Sequence, residues 1–130
     1  MRTPAQPLIA AFALALAGCT VGPDYERPKL ELPEPAAMAV FRIFQEMLSN
    51  VGRHARASHL DVRITADAKE LCISVQDDGC GAPPEAFEAA TAYGVMGMRE
   101  RARHFGGRIA IESAVGQGST FTLVMPLCPK

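Results

Sequence analysis

The chain has 130 residues, one domain's worth, and its 48% hydrophobic and 21% charged residues argue for a packed core and against wholesale disorder. Aromatic residues make up 6% and Trp is absent, so the core must be aliphatic. Thirteen basic against fourteen acidic residues leave a net charge of -1, which argues against a nucleic-acid binder with a broad basic surface, and four cysteines without any CxxC pair suggest neither a zinc site nor a disulfide framework.

Residues 1–19 follow the plan of an export signal. Arg2 gives the positive start, Leu8 to Ala17 form an uncharged apolar run, and Leu16-Ala17-Gly18-Cys19 reads as a lipobox with Cys19 as the lipidation site. The run of about 10 residues is half the ~20 needed to span a bilayer. A buried apolar helix or an alanine-rich leader is the alternative. The stretch Gly18-Cys19-Thr20-Val21-Gly22-Pro23-Asp24-Tyr25-Glu26-Arg27-Pro28 resembles the mature start of outer-membrane efflux lipoproteins. Four prolines between 22 and 35 predict an extended linker over 20–35, with the globular part at 36–130.

In that globular part, Ala37, Val40, Phe41, Phe44, Leu48 and Val51 recur at spacings of three and four, predicting an amphipathic helix from Ala36 to His54. Leu60, Val62 and Ile64 alternate with polar residues, as in a half-buried strand, and Leu71, Ile73 and Val75 do the same after a polar turn. These two strands are expected to pair as an antiparallel hairpin. Glycines and prolines at 79, 81, 83, 84, 94 and 97 predict a long loop, followed by a helix from Met98 to Phe105 capped by Gly106-Gly107. Two further strands flank a Gly116-Gln117-Gly118 turn, and Pro126 ends the pattern. Helices on one face of an antiparallel sheet make a two-layer α+β sandwich.

Four clusters carry candidate chemistry. Glu46 and Asn50 lie one helical turn apart, followed by Arg53 and His54; a carboxylate beside an amide oxygen suits a hard cation and activation of a nucleophile. An ordinary solvated helix face is the competing reading, because these residues lie opposite the Phe44, Leu48 and Val51 stripe. Asp77-Asp78-Gly79-Cys80-Gly81 ends a strand. Parity places Asp77 with Leu71, Ile73 and Val75 on the apolar face, where an acid is costly unless a donor such as the amine of adenine bonds to it. A polar turn explains Asp78-Gly79 but not Asp77. Gly94-Val95-Met96-Gly97-Met98-Arg99 places a loop before a helix N-terminus, which favours phosphate or is simply a capped helix. Gly116-Gln117-Gly118-Ser119-Thr120 is a hairpin turn with two hydroxyls.

Together these clusters resemble the ATP-binding domain of sensor histidine kinases, of the GHKL superfamily with gyrase and the heat-shock chaperone ATPases. The likeness is greatest to kinases that partner helix-turn-helix response regulators. It rests on Phe41 to Asn50, Asp77 to Gly81 and Gly97 to Ala102. The resemblance implies the Bergerat fold and ATP with Mg²⁺ as cofactors. It gives Asn50 the Mg²⁺, Glu46 the acidic role beside it, and Asp77 the adenine in a pocket shaped by Gly79 and Gly81. Gly94 and Gly97 would flank a mobile lid ahead of Met98 and Arg99. Gly118 and Thr120 would close the base side, and Arg53 and His54 would approach the phosphates.

Set against that pattern, the fold is expected to be truncated at its first strand, with a signal-like helix and the Pro-rich linker in its place. His54, His59 and His104 read as structural rather than as phosphoacceptors, so the acceptor histidine is expected in a dimerisation domain supplied in trans, with a response regulator downstream. An export leader conflicts with an ATP domain, since ATP is cytoplasmic. The chain therefore reads as a composite, membrane-anchored through Cys19 if the leader is used and cytoplasmic if the ATP domain works. A non-enzymatic nucleotide-binding module, or a passenger tethered as a lipoprotein, is the alternative function.

Overall fold

The computed structural model describes residues 32–127. The export-like segment, Cys19 and most of the linker lie outside the described residues. The first helix, α1, runs from Glu34 to Asn50, starting two residues before the expected Ala36. Pro33 caps it with extended backbone and Pro35 sits in its first turn, where a missing N–H costs nothing. Its buried face is Ala36, Ala39, Val40, Ile43 and Met47, which corrects the expected stripe: Ala37 is exposed and Phe41 is 53% exposed. The apolar arc of α1 is wider than one stripe, and the elements beneath it decide which part is covered. A π-turn, Val51–Ala55, follows directly, and Arg56 leaves it with φ of 50°. The expected single helix to His54 thus changes winding just before Arg53 and His54.

Four strands form one antiparallel sheet in the order β1-β2-β4-β3: β1 is Leu60–Ala66, β2 Glu70–Asp77, β3 Arg108–Ser113 and β4 Ser119–Pro126. The β1–β2 hairpin pairs Val62 with Val75 and Ile64 with Ile73. Its turn is held by the Asp67 carboxylate, which accepts from the backbone N–H groups of Lys69 (2.7 Å) and Glu70 (2.9 Å). Contrary to the half-buried strand expected, every residue of β1 is exposed. It is the edge of the sheet, and the helices pack over β2, β4 and β3 instead.

The second helix, α2, spans Tyr93–His104 and so begins five residues before the expected Met98. Val95, Met98 and Ala102 are its buried stripe, at helical spacing. Its end is the predicted glycine stop. Gly106 takes φ of 76°, Gly106 N–H bonds to Arg103 O (3.0 Å) and Gly107 N–H reaches back to Ala102 O (2.8 Å), a Schellman cap. The core between helices and sheet joins Ile43, Met47, Met98, Val75, Leu123 and Met125, each almost wholly buried. Among the described residues Phe121 is its one buried aromatic ring, so the core is mainly aliphatic, as the composition required. No helix among the described residues is long and apolar enough to cross a membrane.

Candidate functional site

A cavity of about 430 Å³ opens where the end of α1, the π-turn, the end of β2 and the start of α2 converge. Glu46, Asn50, Arg53 and His54 line it from one side, Asp77, Cys80 and Gly81 from the floor, and Thr91 to Val95 from the other. Phe87 and Phe121 supply its aromatic wall, in edge-to-face contact with centroids 5.9 Å apart.

Asp77 is the unusual group. It is 4% exposed on the helix-facing side of β2, in register with Ser119 of β4. Its Oδ1 accepts a hydrogen bond from Gly79 N–H at 2.8 Å, but Oδ2 is buried with no partner. A buried, unpaired carboxylate oxygen costs a few kcal/mol, so it marks a place where a donor from outside the chain would bind favourably. Asn50 repeats the pattern, with a buried side-chain nitrogen that has no partner. Terminal amide N and O assignments are interchangeable, so Asn50 can equally present its oxygen to the cavity.

The neighbouring Asp78 faces outward, as strand parity predicts. Its carboxylate accepts from the Ser58 hydroxyl (2.7 Å) and from the N–H groups of Ser58 and His59 (both 2.8 Å). These bonds, the Ser58 hydroxyl first, hold its pKa below the ordinary aspartate value of 3.8. A depressed folded-state pKa contributes stability that is complete above the unfolded value and lost as pH falls through the lowered one. Asp78→Ala is therefore expected to destabilise the protein at neutral pH and to shrink the loss of stability below about pH 4. Urea midpoints at pH 7 and pH 3 check this; an equal drop at both would contradict it.

Close backbone approaches shape the floor. A Cβ at Gly79 would collide with the Ala55 carbonyl, and Cys80 N–H bonds to that same oxygen at 2.7 Å. The π-turn is thereby latched to the end of β2, and the Cys80 thiol adds a bond to His54 O (3.1 Å). At the start of α2, Gly94 lies against the Glu46 carboxylate, which a side chain there would have to displace. The N–H groups of Tyr93, Gly94 and Val95 precede the first intrahelical bond, Met96 N–H to Ala92 O, so they are free at the cavity wall.

Residues 36–129 match the model of the histidine kinase-, DNA gyrase B-, and HSP90-like ATPase family. The chain belongs to this family. It is 34% identical over 104 residues to an uncharacterized sensor-like histidine kinase of Chloroflexus aurantiacus, covering 76% of this chain and 17% of that protein. It is 36% identical over 91 residues to the sensor histidine kinase LiaS of Bacillus subtilis, covering 70% of this chain and 25% of LiaS. Among solved structures, the histidine kinase domain of the Erythrobacter litoralis EL346 blue-light activated kinase superposes with a TM-score of 0.64 at 21% identity, over 74% of this chain and 46% of that one. The chain thus spans about a quarter or less of these curated relatives, and the part it shares with them is the ATP-binding domain of a sensor histidine kinase.

Within this ATPase domain the structure brings Glu46, Asn50, Arg53, His54, Asp77, Gly81 and Gly94 to the cavity, and Gly79 supports it through Asp77 and Ala55. Glu46 and Asn50 are half-buried and do not form a solvated face. The reason is the rotated core of α1: Ile43 and Met47 lead the buried face, which places Glu46 and Asn50 on its border.

Five predicted residues lie elsewhere. Gly97 is inside α2 rather than flanking a loop, and Met98 is fully buried in the core. Arg99 makes a bidentate pair with Glu88 (2.6 and 2.9 Å) outside the cavity, which holds the Glu88 carboxyl below its ordinary range. Thr120 faces the opposite side of the sheet, because β4 turns Ser119, Phe121, Leu123 and Met125 toward the helices. Gly118 is not on the wall but packs against the Asp77 backbone. The wall residues missed were Phe87 and Phe121; Ser119, on Asp77's face of the sheet, is buried beside Ser113 with the hydroxyls 2.9 Å apart. Parity counted back from Leu123 and Met125 turns Phe121 inward.

Proposed function

We propose that the cavity holds ATP with Mg²⁺ and that the domain presents the γ-phosphoryl to a histidine carried by another segment or chain. The observation that carries this reading is the unpartnered Asp77 Oδ2. Adenine's exocyclic amine is a neutral donor of the right size to bond there, with Phe87, Phe121 and Val95 as apolar flanks for the ring. The triphosphate then extends toward Asn50, Arg53 and the free N–H groups at the start of α2.

Among the described residues no cluster of three acidic, His or Cys side chains exists to hold a cation alone. One amide and one carboxylate, Asn50 and Glu46, suit Mg²⁺, which takes most of its oxygens from phosphates and water. Bound there, the ion neutralises charge across the phosphates. Glu46, beside Asn50, would accept the proton of the attacking imidazole, while Arg53 stabilises charge on the transferred group.

The test is calorimetric binding of a non-hydrolysable ATP analogue with and without Mg²⁺, beside melting curves. At a nucleotide concentration a hundred times Kd, linkage adds about 2.7 kcal/mol, a rise of roughly 10–20 °C for a domain of this size. Asn50→Ala should remove most of the Mg²⁺-dependent part of the affinity and leave the Mg²⁺-independent part. A folded protein whose melting temperature ignores Mg-ATP would overturn the proposal.

A further inference from the structure

The exposed edge of the sheet carries an inference independent of nucleotide. On the helix-facing side of β1, Leu60, Val62 and Ile64 are 40%, 41% and 59% exposed, a contiguous apolar row opposite the buried Asp77, Val75 and Ile73. Their backbone is open too. Asp78 N–H bonds to His59 O, so His59, Asp61 and Arg63 turn their backbone toward β2 while Leu60, Val62 and Ile64 turn theirs outward. Soluble proteins normally blunt such an edge. Here the two charged residues on the outer face, Asp61 and Arg63, are of opposite sign and two apart, and neither has an ion-pair partner among the described residues.

We propose that β1 is a homodimer interface, pairing antiparallel with β1 of a second copy about a two-fold axis at Val62. In that register Val62 meets its own counterpart, Leu60 lies beside the second copy's Ile64, and Asp61 lies opposite its Arg63. Symmetry makes the Leu60–Ile64 and Asp61–Arg63 contacts twice. Shifting the axis to Asp61 sets aspartate against aspartate, and shifting it to Arg63 sets arginine against arginine. The charge pattern therefore selects one register out of the three central ones. In it Asp61 and Arg63 fall at non-hydrogen-bonded positions, where cross-strand side chains approach most closely. An axis perpendicular to the sheet keeps both helix layers on one side, so the two apolar rows join into a single strip. The occupant is a second copy because the strand is complementary to itself in hydrogen bonding, apolar pairing and charge.

Sedimentation velocity over a concentration series of the full-length chain tests this, with Asp61→Arg, Arg63→Asp and the double swap. The wild type is expected to dimerise. Each single variant sets two like-charged pairs across the interface and should raise the dimer dissociation constant roughly tenfold or more. The double swap restores the pairing, and so does mixing the two single variants, which should form a heterodimer. Both positions are exposed, and cooperative melting at a dilution where every form is monomeric verifies that the variants fold. A wild type that stays monomeric, or an association indifferent to all these charge changes, would overturn the interface.

Discussion

Asp77→Asn is expected to fold normally and to lose about a hundredfold in ATP affinity. The asparagine oxygen can still accept from Gly79 N–H as Oδ1 does. The other carboxylate oxygen, now unpartnered, becomes an NH₂ group, which meets the adenine amine donor against donor. A hydrogen bond to a charged group contributes about 1.5–3 kcal/mol, and unpaired buried donors cost about as much again, so ~3 kcal/mol is a conservative sum. Each 1.4 kcal/mol is about tenfold in Kd. Without nucleotide the effect should reverse: a buried carboxylate oxygen without a partner is itself a liability, so the variant should melt at the same temperature as the wild type or higher. Titration with a fluorescent ATP analogue, beside calorimetric melting of the apo protein, reads both quantities. Unchanged affinity in a folded variant would mean that the orphan oxygen does not face the base.

That Asp77 was legible in the sequence follows from the geometry of strands. Side chains alternate strictly, so Leu71, Ile73 and Val75 fix the inward direction of Asp77 whatever covers the sheet. The same rule gives the outward direction of Thr120 and the inward one of Ser119 once Phe121 and Leu123 are taken as core. That signal was present for Thr120 and was not used. Helices are less forgiving. Apolar residues cover much of α1, and periodicity alone does not say whether Phe41 or Ile43 leads the buried face; the sheet and α2 do. The start of α2 was hidden because Gly94 and Gly97 read as loop, since glycine inside a helix costs about 1 kcal/mol. At Gly94 the absence of a side chain leaves the Glu46 carboxylate its place against the helix start. The exposure of β1 was not legible at all, because alternation marks the apolar face of a strand but not whether anything lies on it.

Gly118→Ala should be strongly destabilising, and Gly116→Ala is its control. The two glycines share the turn between β3 and β4 and take nearly the same backbone, φ of 74° and 80°. A side chain in that left-handed region costs about 1–2 kcal/mol at either position. Their surroundings differ. Nothing lies within 4 Å of a Cβ on Gly116, whereas one on Gly118 would run into the backbone carbonyl of Asp77. Relief requires the turn to retreat from β2. The turn is held by Ser113, whose hydroxyl contacts Gly118 O (3.1 Å), Ser119 Oγ (2.9 Å) and Ala82 N–H (2.9 Å). Losing part of that network brings the expected cost to about 3 kcal/mol or more, against roughly 5–15 kcal/mol for the whole fold. The displaced backbone belongs to Asp77, so nucleotide affinity should fall in Gly118→Ala and stay intact in Gly116→Ala. Urea denaturation of both variants isolates the steric part, because the backbone penalty is common to them. Equal midpoints would mean that the turn does not rest on the Asp77 carbonyl, and that the carboxylate is aimed by something other than this contact.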